Sequence, residues 1–276
     1  MHLIKSVLLL SFTLLGGHDL SLTNLEKPVV NESLCSSSNS VFATGEKIVY
    51  KIYYNWGFVW IAAGEVIFQV KETSDHYHIS ATGRTFKSYD WVFKVRDHYE
   101  SFLDKETLRP QRTIRKVSEG NYTLYDDVTY NHNQAVAISH KGKTQDKLNT
   151  ENISLPDCTH DILSSIYMMR NMDFSNKASH SRLPMNIYLD RKIYSLDVIY
   201  AGSDESKRVK GLGLTSTLLF RPQLVVGSIF KDNEGMKIWV SNDENKIPLM
   251  IESPISVGSV KAILSEHSGL KYPAEY

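Results

Sequence analysis

The sequence predicts a mainly β protein whose antiparallel strands form a meander, giving a curved sheet, a barrel or a half-barrel. Three observations support this fold class. Apolar and polar residues alternate with a period of two from Val41 onward, and short polar turns separate the alternating runs. A single segment, residues 159–172, has helical spacing instead, so one α-helix is expected to pack on the sheet.

The first two strands show the clearest alternation. In residues 48–54, successive side chains point to opposite faces, and the turn Asn55-Trp56-Gly57 follows. The next strand, residues 58–71, is apolar on both faces over its first half. A strand that is apolar on both faces is covered on both sides. This hairpin is therefore expected in the centre of the sheet rather than at its edge.

The remaining strands follow the same alternation. They are predicted at Tyr77–Gly83, Trp91–Leu103, Pro110–Val117, Tyr122–Tyr130, Gln134–His140, Asn186–Asp190, Ile193–Ala201, Ser216–Arg221, Met236–Ser241, Ile247–Ser253 and Ser259–Glu266. Polar turn sequences such as Glu119-Gly120-Asn121 and Lys141-Gly142-Lys143 separate them. Short strands joined by short turns favour an antiparallel meander.

The helical segment has one apolar stripe, formed by Ile162, Ile166 and Met169. Pro156 and Asp157 suit its start. Asp161 lies in the expected first turn, where a negative charge is favoured by the helix dipole.

The ends of the chain differ in composition from its centre. Residues 1–5 carry a lysine and residues 6–17 are apolar, which is typical of a signal peptide and too short for a spanning helix, which needs about 20 residues. We expect a signal peptide at 1–21 with an uncertain cleavage site, a linker at 22–40, one β-rich domain at 41–270 and a tail at 271–276. The mature protein is expected outside the cytoplasm with no transmembrane segment.

Export affects the interpretation of the two cysteines, Cys35 and Cys158. In an oxidising compartment a disulfide is favoured over two free thiols, although both states stay open on the sequence alone. The formal net charge is zero, which argues against a nucleic-acid partner because phosphates demand a basic surface.

Several sequence patches, taken in order, resemble the bacterial family of domain of unknown function (DUF) 3108. They are Phe42-Ala43-Thr44-Gly45-Glu46-Lys47-Ile48-Val49-Tyr50, Phe93-Lys94-Val95-Arg96-Asp97, Cys158-Thr159-His160-Asp161-Ile162-Leu163-Ser164, Ile238-Trp239-Val240-Ser241-Asn242-Asp243 with Ile247-Pro248-Leu249, and Val257-Gly258-Ser259-Val260-Lys261-Ala262. The resemblance covers residues from about 35 to about 269. It implies a periplasmic location and a pairing of Cys35 with Cys158, but no activity.

The sequence contains no motif of a known catalytic centre, so we expect no cofactor and no metal. His76 and His78 share a strand face but lack a third ligand. A hydrolase built on Asp97 and His98 is the weakest hypothesis, because adjacent strand residues point to opposite faces.

Early aromatic residues support a different hypothesis, a binding protein with an apolar cleft for a lipid-like or envelope-derived ligand. The candidate binding residues are Trp56, Trp60, Phe68, Trp91 and Arg96. The alternative is a non-enzymatic structural or interaction module of the cell envelope, in which the same aromatic side chains form a core.

Overall fold

The computed structural model describes Cys35 and residues 37–56, 59–223, 235–254 and 258–276, with the side chain of Trp56 excepted. The predicted signal peptide, residues 1–21, lies outside this part of the chain. The chain is mainly β, as predicted.

The described residues contain fifteen strands, one α-helix and a short 3-10 helix at Lys87–Tyr89. The strands are β1 Lys47–Trp56, β2 Val59–Glu72, β3 His76–Thr85, β4 Arg96–Asp104, β5 Pro110–Glu119, β6 Tyr122–Asn131, β7 Val136–Gly142, β8 Leu148–Ser154, β9 Thr159–His160, β10 Ser181–Leu189, β11 Lys192–Val209, β12 Gly213–Pro222, β13 Lys237–Ser241, β14 Pro248–Pro254 and β15 Ser259–Ser268. The helix α1 spans Ile162–Arg170.

The described strands form one curved, unclosed sheet in the order β8-β7-β6-β5-β4-β3-β2-β1-β15-β14-β13-β12-β11-β10-β9. Neighbours are antiparallel except β9 and β10, which run parallel. The first described strand pairs with the last, so β1 and β15 are neighbours in the middle of the sheet. The meander and the central position of the β1–β2 hairpin are therefore confirmed.

Helix α1 begins later than the sequence indicates. Residues 159 and 160 form the short strand β9, and Asp161 is the N-cap. Its carboxylate accepts the backbone N–H of Leu163 and Ser164, while the Ser164 hydroxyl accepts the backbone N–H of Asp161. This reciprocal capping box satisfies the first orphan donors of the helix. No helix in the described ranges is long and apolar enough to cross a membrane.

The segment before β1 packs on the helix. Cys35 lies at disulfide distance from Cys158, with a Cα–Cα separation of 4.3 Å, which agrees with the expected pairing. The Phe42 ring meets Tyr77 and Tyr167 edge to face at 5.1 and 5.0 Å between centroids. The segment thus joins the helix to strand β3.

Both predicted domain limits have contacts beyond them. The backbone N–H of Ser40 donates to the Asn171 side chain at 2.6 Å. At the other end, the Asn245 side chain donates to the backbone carbonyl of Tyr272, and the Tyr272 hydroxyl donates to that of Ser40. The packed unit therefore extends past residues 41 and 270.

Two segments differ from their predicted structure. The strand expected at Trp91–Leu103 begins only at Arg96, because Tyr89 and Val92 form turns closed by backbone hydrogen bonds. Strand β8 was not predicted. It is a polar edge strand with solvent on both faces, so its sequence carries no alternation.

Candidate ligand-binding pocket

An apolar pocket of about 210 Å³ lies between α1 and strands β10–β14. It is lined by Ile162, Ser165, Ile166, Met169, Arg170, Phe174, Met185, Ile187, Leu189, Tyr194, Leu196, Val198, Phe220, Pro222, Met236, Ile238, Val240, Lys246, Pro248 and Ile251. Most of these side chains are aliphatic or aromatic. The walls therefore suit a molecule with little hydrogen-bonding capacity.

Strand alternation produces the floor of the pocket. Met185, Ile187 and Leu189 are spaced two apart on β10, so they point to the same face. Their partners on β11 include Leu196, opposite Met185, and Tyr194, opposite Ile187. Paired residues of an antiparallel ladder share a face. The two strands therefore present a continuous apolar surface to the helix.

The helix has two different sides. Ile162, Ile166 and Met169 line the pocket. On the other side, Leu163 and Tyr167 are buried in the core formed with strands β3 and β4. The helix thus packs in the core of the N-terminal half, its Met168 also packs in the core of the C-terminal half, and the pocket remains beside that second contact.

A buried ion pair fixes the C-terminal end of the helix. The Arg170 guanidinium donates to both carboxylate oxygens of Glu46, at 2.7 and 2.8 Å, and to the Asn245 carbonyl at 3.0 Å. The Tyr167 hydroxyl donates to Glu46 at 3.2 Å. Burial lowers the pKa of Arg170, but the hydrogen bonds and charge of Glu46 outweigh it and leave that pKa above its usual value. Arg170 therefore stays charged and engaged.

A charged cluster lies where strands β5–β7 of the N-terminal half meet the turn between β10 and β11. Asp190 accepts hydrogen bonds from Arg115 and Lys141, both at 2.9 Å, and the Ser139 hydroxyl donates to Asp126 at 2.8 Å. The cavity beside this cluster is only about 20 Å³, which is the size of one water molecule. The space beside this cluster therefore has no room for an organic ligand.

The pKa values of the two carboxyls in this cluster, Asp126 and Asp190, are shifted in opposite directions. Burial raises the pKa of Asp126, and the nearby Arg115 offsets only part of the rise. Burial also acts on Asp190, but the charges of Arg115 and Lys141 outweigh it and lower the pKa of that carboxyl. The direct contacts of Asp190 with two cations account for the difference.

Residues 49–265 match the family described as protein of unknown function (DUF3108). The chain belongs to this family. The crystal structure of a beta-barrel-like protein of domain of unknown function DUF1849 from Brucella abortus is also similar, with a TM-score of 0.54 and 11% identity. The similarity covers 85% of this chain and 100% of that one, and at this identity it shows the fold alone. No curated protein matches the chain.

In this DUF3108 chain, four of the five predicted binding residues lie apart from the pocket. Trp60 is 38% exposed and Trp91 is 85% exposed. Phe68 is half-buried and meets Tyr50 edge to face at 5.7 Å. Arg96 binds Asp90 through two hydrogen bonds of 3.1 and 2.6 Å. None of these four side chains lines the pocket.

Trp56 ends strand β1, and its side chain lies outside the described part of the structure. Its predicted binding role stays a prediction.

Asp97 and His98 do not form a catalytic pair. Asp97 is 1% exposed and accepts the backbone N–H of Ser118 at 2.9 Å. His98 is hydrogen-bonded to the Thr82 hydroxyl at 2.9 Å and lies 3.5 Å from a Glu100 oxygen. Because the two neighbours point to opposite faces of β4, the carboxylate cannot orient the imidazole. No group of three or more metal-binding side chains occurs within the described ranges.

Sequence reasoning missed the pocket because its walls consist of ordinary strand residues. The signal was present in the alternation of residues 185, 187 and 189 and of residues 194, 196 and 198. Alternation predicts which side chains share a face, but it does not show whether a partner fills the space opposite them.

Proposed function

We propose that this DUF3108 protein binds one apolar chain of a lipid-like molecule in the pocket between α1 and β10–β14. The observation that carries the proposal is a preformed cavity of about 210 Å³ with almost entirely apolar walls. Apolar surface that lies open to a cavity gains free energy when an apolar ligand covers it. The proposal keeps the predicted ligand class and moves the site from the early aromatic residues to the C-terminal half of the sheet.

The volume favours a single chain. Pockets that enclose drug-sized molecules measure about 300–1,000 Å³, while an engineered apolar cavity of about 150 Å³ accepts one benzene. A pocket of about 210 Å³ lies between these cases. It matches part of one acyl or isoprenoid chain better than the two chains of a phospholipid.

The position of Lys246 at the pocket wall predicts the charge of the ligand's headgroup. It lies on the connection between β13 and β14 and lines the pocket together with Pro248. The other cation of the wall, Arg170, is engaged by Glu46. An anionic headgroup beside Lys246 would form an ion pair with its ammonium group, while the apolar chain of the ligand enters the pocket. The ligand class is therefore a single-chain amphiphile with an acidic headgroup.

The same proposal includes an extracytoplasmic location. It is supported by the basic and apolar residues at the start of the chain and by the disulfide-distance pair Cys35 and Cys158. Mass spectrometry of protein recovered from the periplasmic fraction tests this part. We expect a processed N-terminus and a mass two hydrogens below the reduced chain; an unprocessed, reduced chain in the cytoplasm would exclude it.

Native mass spectrometry of the same sample tests the ligand. A defined added mass that leaves on denaturation would support the pocket proposal and give the ligand class. A chain without added mass, which also fails to bind a fluorescent fatty acid in titration, would contradict it and favour the interaction-module alternative.

A matched pair of substitutions assigns binding to the pocket. Leu196→Trp places an indole in the cavity, whereas Ile199→Trp adds the same group to β11 on a residue that does not line the pocket. We expect Leu196→Trp to weaken fluorescent fatty acid binding about tenfold or more through exclusion, and Ile199→Trp to leave it unchanged. Equal loss in both variants would show that the probe binds elsewhere.

A further inference from the structure

Large apolar side chains are exposed at one end of the sheet, away from the pocket walls. Val59 and Trp60 begin strand β2 and point to opposite sides of it, with 59% and 38% exposure, so they share the end of the strand rather than one surface of the sheet. Trp91 and Val92 lie in the connection between β3 and β4, with 85% and 47% exposure. The backbone N–H of Phe86 donates to the Ala63 carbonyl at 3.0 Å, which holds this connection beside the start of β2. Both pairs of side chains therefore lie at the same end of the β2–β3 ladder.

The most exposed of these rings is held in place by its own connection. The Trp91 indole N–H donates to the Ser88 carbonyl at 2.9 Å. The neighbouring backbone is closed by turns, and Asp90 in the same connection binds Arg96 and the Thr85 hydroxyl. Trp91 thus keeps its polar atom satisfied while its apolar ring faces solvent. An ordered, exposed indole loses little conformational entropy when a partner covers it.

Lysines lie over aromatic rings on the strands next to this region. The pairs are Lys261 over Trp60 at 4.5 Å, Lys210 over Tyr53 at 4.4 Å and Lys207 over Trp239 at 3.8 Å. Tyr53 pairs with Lys261 across β1 and β15, so these two side chains share a face of the sheet. Rings and cations therefore alternate over neighbouring strands.

The lysines exceed the acidic groups around them. Glu252 lies 3.4 Å from Lys261, and both Glu252 and Asp204 are close enough to Lys207 to act to raise its pKa. Burial, together with repulsion by Lys261 and Lys237, nevertheless leaves the pKa of Lys207 below its usual value. Lys94, next to the exposed Trp91 and Val92, adds another exposed cation. The region therefore carries excess positive charge.

We propose that this region, called here the docking face and formed by Val59, Trp60, Trp91, Val92, Lys94, Lys207, Lys210 and Lys261, binds the surface of an anionic lipid bilayer. Tryptophan favours the boundary between water and hydrocarbon, and lysine favours anionic headgroups. A sulfated or phosphorylated polymer would use the lysines and the rings, but it offers nothing to Val59 and Val92. The aliphatic side chains decide in favour of a bilayer.

The docking face and the pocket share strand β14. Ile251 lines the pocket, and the next residue, Glu252, pairs with Lys261 of the docking face. Because neighbouring strand residues point to opposite faces, a bilayer bound at the docking face would lie across the sheet from this wall of the pocket. Membrane binding does not depend on pocket occupancy, so the two proposals can fail separately.

Vesicle flotation of the mature, oxidised protein tests the docking face. The probes are vesicles of phosphatidylcholine alone and of phosphatidylcholine with an equal part of phosphatidylglycerol. We expect binding to the anionic vesicles, little binding to the neutral ones, and release at high salt. Lys94→Gln and Lys210→Gln should each weaken binding about fivefold, which corresponds to about 1 kcal/mol per lysine. Trp91→Ala with Val92→Ser should weaken it by at least as much.

Matched controls lie on edge strand β8 and the connection before it, separated from β2 by five strands of the sheet. Lys147→Gln removes an exposed lysine and Leu148→Ser an exposed apolar residue, and both should leave binding unchanged. Leu196→Trp in the pocket should also retain vesicle binding. No flotation with anionic vesicles, equal binding to both vesicle types, or equal losses in docking-face and control variants would overturn the proposal. Binding to dextran sulfate without binding to vesicles would also overturn it.

Discussion

The two halves of the sheet are built from the same antiparallel meander, yet their interiors differ. In the N-terminal half, β1–β8, side chains such as Ile79 and Leu103 pack against the helix without exposure, and charged groups around Arg115 occupy the rest. In the C-terminal half, β9–β15, the helix faces a row of aliphatic side chains and a cavity remains. Strand topology therefore does not decide where a ligand can bind.

The helix contacts both halves but fills only part of the space beside the C-terminal one. Tyr167 reaches Glu46, and Leu163 joins the core with β3 and β4. The capping carboxylate Asp161 also accepts the Ser101 hydroxyl of β4 at 2.7 Å. On the other side, Met168 is fully buried in the core with strands β10–β13, while the rest of that side borders the cavity. The space left beside the helix accounts for the difference between the two halves.

Breaking the Glu46–Arg170 pair should have the largest effect. Glu46→Gln leaves a buried guanidinium without its counter-charge, and such a change costs about 3–5 kcal/mol of unfolding free energy. Urea denaturation measures the loss. The double variant Glu46→Gln with Arg170→Met should recover a large part of it because no uncompensated charge remains. Arg182→Ala, which removes an exposed ion pair in the C-terminal half, should cost less than about 1 kcal/mol. Equal losses of unfolding free energy in Glu46→Gln and Arg182→Ala would contradict the conclusion that the buried Glu46–Arg170 pair matters more for stability than an exposed pair.

The same substitution in each half compares their packing directly. Leu103 has no exposed surface, so Leu103→Ala should cost about 2–5 kcal/mol of unfolding free energy through lost burial and a new cavity. Leu196 already borders a cavity and is half-buried, so Leu196→Ala should cost about 1 kcal/mol or less. Denaturant titration of both variants measures the difference. Similar costs would show that the pocket is as closely packed as the core.

The sequence predicts the fold well because alternation reports local geometry. Apolar residues on both faces of β2 predict a central hairpin, and the order of strands agrees, although Val59 and Trp60 themselves are exposed rather than covered. The helix was placed from Ile162, Ile166 and Met169, and these residues do share one side. Such patterns depend only on residues that are close in the sequence, so they can be recognised without knowing the tertiary structure.

The candidate site was harder to predict because it depends on space between distant segments. Trp60 and Trp91 are large and apolar, and the sequence suggested that they line a cleft, but they are exposed at the end of the sheet. The pocket instead comes from where α1 lies, which Glu46 and Arg170 fix across a sequence separation of 124 residues. A contact over that distance leaves no periodic signal in the chain.

Stability should depend on pH through the buried acids of the N-terminal half. Burial raises the pKa of Asp97 to about 6 in the folded chain, above the value of about 4 for an unfolded chain. The folded state therefore holds this proton more tightly, and the stabilisation present below about pH 4 is lost as pH rises through about 6. We expect the unfolding free energy to be about 1–3 kcal/mol higher near pH 5 than near pH 8.

Asp97→Asn should flatten this dependence, while Asp75→Asn, at an exposed carboxyl, should preserve it. Asp190 acts in the opposite sense, because its pKa is lowered in the folded state and its contribution is lost as pH falls. The free energy of unfolding should therefore be greatest at mildly acidic pH. This range lies above the pH at which Asp190 takes up a proton and below about pH 6, where Asp97 loses its proton. Urea titrations at several pH values measure the profile, and a wild-type curve that rises from about pH 5 to about pH 8 would contradict the sign.

The smallest expected effect concerns the charge at the pocket wall. Lys246→Gln should weaken binding of a single-chain carboxylate about fivefold, since a partly exposed charge contact contributes up to about 1 kcal/mol. The methyl ester of the same chain should bind wild type and variant equally, because the apolar walls are unchanged. Lys192→Gln, which removes an exposed lysine of β11, is the control. Calorimetric titration of both ligands separates the contributions. Weaker binding of acid and ester alike would mean that Lys246 shapes the pocket rather than selecting a charge, and the C-terminal half would then discriminate ligands by apolar fit alone.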